Sequence, residues 1–418
     1  MHLCLFEDLQ SNNLLPLTYF RPVYDLRCGM LSLRERIVRY LSPKSVSLFA
    51  REYLAAVLRE DNPGVEVNRV SVGACLFVNG RAIMTPALAR QLKKTKADTL
   101  YTTGDELVAV LLSGENLVKA MASGYADAID LSHIRGVPRV EVEAELVHYP
   151  WDLVYANETA LPNDFALLTK NAKGISRKAD VHKAAVLVAR KNIHIGKESV
   201  VGAGAVLDAS EGPIYVGNSV KIFPTAVIQG PCFIGADSMI KVGAKIYGNT
   251  SIGRLCKVGG EVEHSIFHSH SNKQHDGFLG HSYISPWVNL GAGTTNSNLK
   301  NTYGNVRVQI NGKPVDSGKM FVGLTAADHV KIGINGTIDT GTVVGTSSNL
   351  YGTAIPPKYV PPFTWGTAGN FTTYDVERAV GVAETVMSRR NVVATETYKT
   401  MFRYVYELTA NERSAYRK

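Results

Sequence analysis

Through the middle of this chain every sixth residue is aliphatic. Val216, Ile222, Ile228, Ile234, Ile240, Ile246, Ile252 and Val258 follow one another without an exception. Ile195, Val201 and Leu207 keep the step upstream, and Ile332, Ile338, Val344 and Leu350 resume it downstream. A period of six matches neither the 3.6 of a helix nor the 2 of a simple strand. It fits a coil of short parallel strands in which every sixth side chain points to the axis. Three hexads make one triangular turn. The glycine or other small residue that commonly follows the aliphatic one, as in "HIGKES", "FIGADS" and "SIGRLC", relieves a corner where a Cβ would crowd the backbone. Eight consecutive matches argue against ordinary strands with chance spacing, and the pattern predicts a left-handed parallel β-helix.

The rhythm breaks twice. After Val258 comes a histidine-rich segment, read as leaving the coil, and Phe278, Ile284 and Leu290 then restore the step in a new phase. After Asn298, alternating Val306, Val308 and Ile310 followed by "NGKP" predict a hairpin projecting from the coil. Loops leaving a rigid scaffold are where ligand contacts are commonly built.

Residues 1–165 lack hexads and mix strand-like runs ("ACLFVNG", "RVEVEAELV") with helix-like ones ("LSLRERIVRYL", "GDELVAVLLSGENLVKAM"). That alternation predicts an α/β domain of Rossmann type. "YPWDLVYANETALPNDFALL" reads as the join. The coil is expected over 166–370. Near its end "AIPPKYVPPFTWG" is too rich in proline for a helix or central strand and reads as an extended strap. A helical tail, 371–418, places Val376, Ala379, Val380, Ala383, Val386 and Met387 on one packing face.

With 418 residues, two domains are the default; 45% hydrophobic and 20% charged residues suit a soluble globular protein. No apolar run approaches the roughly 20 residues that span a bilayer, and "MHLCLF" is not a signal peptide, so the expectation is a cytoplasmic protein with no membrane partner. Five scattered cysteines without a CxxC spacing suggest neither a disulfide framework nor a zinc knuckle. The net charge of +8 suits sugar phosphates or a nucleotide-bearing cofactor as well as a merely solvated basic surface. Nothing resembles a nucleic-acid-binding signature, so no nucleic-acid partner is expected.

The hexads followed by "WVNLGAGTTNSNLKN" resemble the acyltransferase half of GlmU-type bifunctional sugar-1-phosphate enzymes. The resemblance extends over nearly the whole chain. It is nearest the archaeal branch and a GlmU-like bacterial family of sugar nucleotidyltransferases, whose signatures "LFEDLQSNNLLPLTYFRPVYDLRCG" and "FTWG" resemble. The family segment "HLSYVGD…VNFGAGT…NL" falls without a gap on "HDGFLGHSYISPWVNLGAGTTNSNL". The resemblance implies His275 as general base, Asn298 as a carboxamide at the acyl-transfer centre, acetyl-CoA as donor, and an amino-sugar phosphate or nucleotide sugar as the other substrate. It also implies a homotrimer with sites between subunits. Two positions depart from the family: its tyrosine is Phe278 and a downstream lysine is Gly304. In the bacterial GlmU branch the base lies earlier in the coil, where Lys257 stands here.

Acetyl transfer from a thioester to an amine needs a proton acceptor near neutral pH, which imidazole supplies. It also needs donors aimed at the oxyanion, from backbone N–H groups or an Asn amide. Gly291, Ala292 and Gly293 would let a pantetheine arm approach the backbone. Lys273 and Asn296 join Arg21 and Arg27 as candidates for the sugar or its phosphate. His264, His268, His270, His275 and His281 could suggest zinc, but their irregular alternation and lack of a thiol or acidic partner pattern point to no metal site. His268 and His281 are expected to be satisfied or surface residues.

Nucleotidyltransferases of this class open with a Gly-rich phosphate loop, whereas "LCLFEDLQSNNLLPLT" has no glycine. Val23 stands where a lysine is expected after Pro22, and Arg81 where a metal-binding aspartate would end a strand. Arg21 and Arg27 could grip phosphate bidentately or be salt-bridged structural residues. The first domain therefore reads as a degenerate nucleotidyltransferase-like domain, with a possible but ill-supplied Mg2+. Two rivals stay open: a sugar-1-phosphate nucleotidyltransferase with an atypical phosphate site, and a non-catalytic trimer that binds a sugar nucleotide.

Overall fold

The structure is a computed structural model, and it describes residues 1–122, 136–171 and 174–416. The chain divides into two compact units. One comprises Met1–Leu26, Leu31–Tyr149 and Glu396–Tyr404; the other comprises Arg27–Met30, Pro150–Thr395 and Val405–Lys418.

The first unit is built on a seven-stranded sheet. Its order is Arg139–Glu141, Thr99–Thr103, Glu106–Ser113, Ala74–Asn79, His2–Phe6, Ser45–Leu48 and Glu66–Val67. The neighbours of His2–Phe6 run parallel to it, and Glu106–Ser113 runs antiparallel to both of its neighbours. Central parallel strands covered on both faces read as continuous apolar runs, which is why "LCLF" and "CLFV" are buried throughout. The helix Leu33–Leu41 starts at a capping box: Ser32 Oγ accepts from Glu35 N–H while the Glu35 carboxylate accepts from Ser32 N–H. One expectation is overturned here. The stretch read as a single helix, "GDELVAVLLSGENLVKAM", is the strand Glu106–Ser113 followed by the helix Gly114–Ala122. The run Val108–Val110 with Leu112 is fully buried between two flanking strands, on a pleated surface that Val fills well.

The second unit is a left-handed parallel β-helix. One face holds nine strands from Ile193–Ile195 to Tyr359–Val360. A second runs from Asp180–Val181 to the antiparallel closing strand Asn370–Thr373, and a third runs from Val186–Val188 to Phe278–Gly280. Val216 lies opposite Ile234 and Ile234 opposite Ile252, so the hexad aliphatics stack along the axis. They form one continuous core in which Ile222, Ile240 and Ile246 are at most 1% exposed. Each such side chain contributes about 1.5–3 kcal/mol by burial. The small corner residues are needed for the same stacking: a Cβ on Gly217 would lie 2.8 Å from the Ala236 nitrogen of the next turn.

The histidine-rich segment does not leave the coil. Ile252 stands opposite Phe267, and Phe267 opposite Ile284, so the turns shorten from 18 residues to 15 and 17 while the stacking continues. The histidines sit at the corners between strands of the coil itself. The second break is the expected hairpin, Arg307–Ile310 paired with Lys313–Asp316, inserted between coil neighbours Ile284 and Ala326. The proline-rich strap is the coil's last turn. Tyr359–Val360 pairs with Val343–Val344, Thr364–Thr367 continues the neighbouring face, and Pro356, Pro357, Pro361 and Pro362 fall outside the paired residues. The helix Val376–Ser388 buries Ala379, Val380, Ala383 and Met387.

Candidate functional site

The third face of the coil cracks at the segment that carries the asparagines. Below the crack is Phe278–Gly280 and above it Thr295–Asn296, and the two do not share a backbone ladder. Side chains replace it. Phe278 N–H donates to Thr295 Oγ1 (3.3 Å), Gly280 N–H to Asn296 Oδ1 (2.9 Å), and Asn296 Nδ2 donates to Gly280 O (3.1 Å). A carboxamide has the donor and acceptor of a peptide group, so Asn296 stands in for the missing rung. It is buried at the position facing Ile338, and its polar atoms are engaged by the coil rather than presented to solvent.

Two residues on, Asn298 lies at the corner above His281. Its Nδ2 is 3.0 Å from Glu263 Oε1 and 3.0 Å from His281 Nδ1. The carboxylate fixes the amide's orientation, because the opposite one would set Asn298 Oδ1 against Glu263. With Nδ2 as the donor, His281 Nδ1 must accept, and the ring carries its proton on Nε2. The ring stacks on His264, one coil turn below, at 4.7 Å and 4° between planes, and on Phe321 at 5.2 Å. Burial, with His264 adding to it, lowers the His281 pKa to about 3, so the imidazole is neutral at physiological pH. Both histidines occupy left-handed corners, at φ 42° and 49°. Reading along the sequence missed this group. The signal was available in the spacing, because one coil turn from His264 lands on His281.

His275 lies at the preceding corner, between Asn272–Lys273 and Phe278–Gly280, and is exposed. The carboxamide expected to join it, Asn298, has its side-chain bonds to Glu263 and His281 instead. Lys273 takes an axial hexad position opposite Val258 and is 1% exposed. Its Nζ donates to the carbonyls of Gly259 (3.2 Å) and His275 (2.9 Å). Burial lowers its pKa to about 8 against the opposing charge of Asp276. Lys273 thus ties the His275 corner to the turn below from inside the coil.

The glycines answer to the coil as well. A Cβ on Gly291 would lie 2.6 Å from the Gly333 carbonyl carbon, and Gly293 adopts φ +74° beside Asn335. Ala292 O accepts from Asn335 N–H. Arg27 groups with the coil: Nε donates to His268 O (3.1 Å), Nη1 to Met30 O (2.6 Å), and the guanidinium covers the Phe233 ring. Arg21, in the first unit, donates to Leu17 O (3.2 Å) and faces Asp25, whose carboxyl burial raises to about 6 against Arg34 and Arg21.

In the first unit Arg81 is fully buried. Its Nε and Nη2 reach Asp8 at 2.8 and 2.6 Å, Nη2 also reaches Glu106 at 2.7 Å, and His148 Nε2 lies 2.7 Å from the other Glu106 oxygen. Against the upward push of burial, Arg81 and His148 hold the Glu106 carboxyl below its ordinary range. Both carboxylates are thus matched by a guanidinium at the end of the strand Ala74–Asn79. Among the described residues no group of three or more His, Cys, Asp and Glu is placed to hold a metal. The site does not fit Mg2+, which would have to displace a buried cation.

Residues 3–173 match the family model described as sugar nucleotidyl transferase. Among curated proteins, the chain is 36% identical over 95 residues to a bifunctional sugar-1-phosphate nucleotidylyltransferase/acetyltransferase of Sulfurisphaera tokodaii, which is 23% of this chain and 24% of that protein. It is 31% identical over 154 residues to the bifunctional protein GlmU of Acidithiobacillus ferrooxidans, 36% of this chain and 32% of that protein. The chain is therefore GlmU-like, and the matches span a third or less of those relatives' lengths. Among solved structures, a Francisella novicida UDP-N-acetylglucosamine acyltransferase aligns at 16% identity and a TM-score of 0.26, covering 58% of this chain and 80% of that one. No helix among the described residues is long and apolar enough to cross a membrane.

Proposed function

We propose that the chain is a GlmU-like transferase of nucleotide-sugar synthesis whose coil N-acetylates an amino-sugar 1-phosphate with acetyl-CoA as donor. One observation carries this reading: a solvent-exposed imidazole, His275, stands one coil corner from a network in which Glu263 and Asn298 fix the tautomer of a second imidazole, His281. The two histidines suit different tasks. His275 is exposed, where an amine substrate can reach it, whereas buried His281, its pKa lowered to about 3, is a poor base and a fixed Nε2–H donor.

In the reaction the amine attacks the thioester carbonyl and a C–N bond forms. His275 removes the amine proton, a preorganised donor stabilises the oxyanion, and the C–S bond breaks as the CoA thiolate leaves and takes up that proton. No covalent enzyme intermediate is needed. Asn298 acts here as a positioning residue, through His281. We further infer that the protein is a cytoplasmic homotrimer, the assembly that the sequence resemblance implies.

The test is CoA release from acetyl-CoA with glucosamine 1-phosphate and related amino-sugar 1-phosphates. The native protein should turn over, and His275→Ala should lose at least 100-fold with its melting temperature unchanged. Absence of CoA release from every acceptor would defeat the reading.

The sugar nucleotidyl transferase match over residues 3–173 favours a second activity, formation of a nucleotide sugar in the first unit. With buried Arg81 holding Asp8 and Glu106, this unit would work without the usual metal. Pyrophosphate release from a nucleoside triphosphate and a sugar 1-phosphate, in the presence of a chelator, tests it.

A further inference from the structure

A cavity of about 640 Å³ in the second unit lies between the projecting hairpin and the corner that follows Asn298. Its walls carry Lys300, Arg307 and Lys358 against one carboxylate, Asp339. Lys358 is paired with Asp339 at 2.6 Å and also bonds Thr340 Oγ1 at 3.0 Å. Lys300 Nζ gives one of its three donors to Asn305 O (2.9 Å). Arg307 is exposed on the hairpin, where Asp316 stands opposite it in the ladder, and its side chain makes no hydrogen bond or ion pair among the described residues. The lining therefore carries two positive charges, Lys300 and Arg307, beyond the Lys358–Asp339 pair, and the guanidinium of Arg307 presents a planar fork of N–H donors in a concavity that concentrates the field.

No aromatic side chain lines the cavity, so it offers no platform for a base to stack on. It is large enough for a small ligand. Ser297 lines it, while the next residue, Asn298, reaches the other way to His281 and Glu263. We infer that this cavity binds the phosphate group of a phosphorylated small substrate, with Arg307 and Lys300 as its principal ligands. The phosphate would sit one residue away from the Asn298–His281 network. That the substrate's other end is an acyl acceptor or donor rests on the proposed function, whereas the phosphate site rests on the cavity alone.

Calorimetric titration at fixed ionic strength tests this on the full chain. Glucosamine 1-phosphate and coenzyme A, the two phosphate sources, are compared with glucosamine, for native protein, Arg307→Ala and Arg307→Lys. A charge-assisted bidentate contact gives about 1.5–3 kcal/mol, a loss of roughly 10- to 150-fold in affinity on removal. We expect saturable binding of at least one phosphorylated ligand, no binding of glucosamine, a loss of that size in Arg307→Ala, and partial recovery in Arg307→Lys. The ligand that responds identifies the source. Binding of neither ligand, or equal affinity in native protein and Arg307→Ala, overturns the inference. The hairpin position is exposed, and an unchanged melting temperature checks the fold. Arg307-dependent binding without CoA release would keep this site and reject acyl transfer; CoA release with Arg307-independent binding would do the reverse.

Discussion

Asn298 Nδ2 lies 3.0 Å from His281 Nδ1, and that bond sets which nitrogen of the buried imidazole holds the proton. Asn298→Ala removes the donor and leaves Glu263 facing the ring nitrogen at 3.8 Å. The carboxylate then becomes an acceptor for an Nδ1 proton, so the tautomer shifts. Nitrogen-15 correlation spectra of the histidine rings should show His281 as the Nε2–H form in native protein and as a mixture or the Nδ1–H form in the variant. If acyl transfer is the function, kcat should fall about 10- to 100-fold with KM for acetyl-CoA within about 2-fold. An unchanged ring spectrum would remove Asn298 from this role.

Stability should fall with acid over a defined window. His281 and His270 have folded pKa values lowered to about 3 and about 4, chiefly by burial, below an ordinary 6.5. Between the folded and unfolded values the unfolded chain binds more protons, so stability is complete above about pH 6.5 and declines as pH falls toward 4. The groups facing His281 are His264, Glu263, Asn298 and Tyr155, and those facing His270 are Arg254, Arg390 and Trp287. Asn tolerates the left-handed corner that His281 occupies, so His281→Asn keeps the backbone. Its melting temperature should be less steep between pH 6.5 and 4 and parallel to native protein above pH 7. Equal slopes throughout would show that His281 does not titrate as its burial requires.

Lys273 should behave as a piece of the core. Lys273→Met keeps the axial volume and drops a buried charge while leaving two carbonyls without that donor. Its net effect on unfolding free energy should be within about 1.5 kcal/mol. Lys273→Ala leaves a cavity and should cost about 2–4 kcal/mol. Urea denaturation of both variants measures this. The Met variant should also bind glucosamine 1-phosphate within about 2-fold of native protein. A large selective loss of sugar-phosphate affinity in Lys273→Met would instead make the ammonium a substrate ligand.

The coil was legible because its rule is local and repeated: an aliphatic residue every six positions has one packing explanation, and Ile222, Ile240 and Ile246 are all on the axis. The histidine segment hid its place in that coil because its turns contain 15 and 17 residues, which breaks a count of six without breaking the stacking. The site was legible in residue type but not in pairing. Asn298 and the histidines come together through corners one turn apart, and a turn of variable length moves a partner from His275 to His281. Lys273 and Asn296 looked like ligands because they are polar, yet polar residues on the axis serve backbone groups where the coil's ladder is incomplete. In the first unit, Arg81 was visible as a departure, but the sequence could not pair it with Asp8 and Glu106, 73 and 25 residues away.

That arginine gives a last test. A fully buried guanidinium held by two carboxylates is expensive to remove from one side only, since both acidic groups lose the cation they share and keep Asn79 and His148 as partners. Arg81→Met should lower the unfolding free energy by about 3–5 kcal/mol, read as a lower urea midpoint at unchanged slope. The variant also exposes Asp8 and Glu106 to each other, a pair of carboxylates with no cation between them. Mn2+ at millimolar concentration should therefore recover part of the lost stability in Arg81→Met, because a ligand bound only by the folded state stabilises it, and should leave the native melting temperature within about 1 °C. If Mn2+ stabilises the native protein as strongly as the variant, Arg81 does not occupy the metal's place, and the first unit must hold its cation elsewhere.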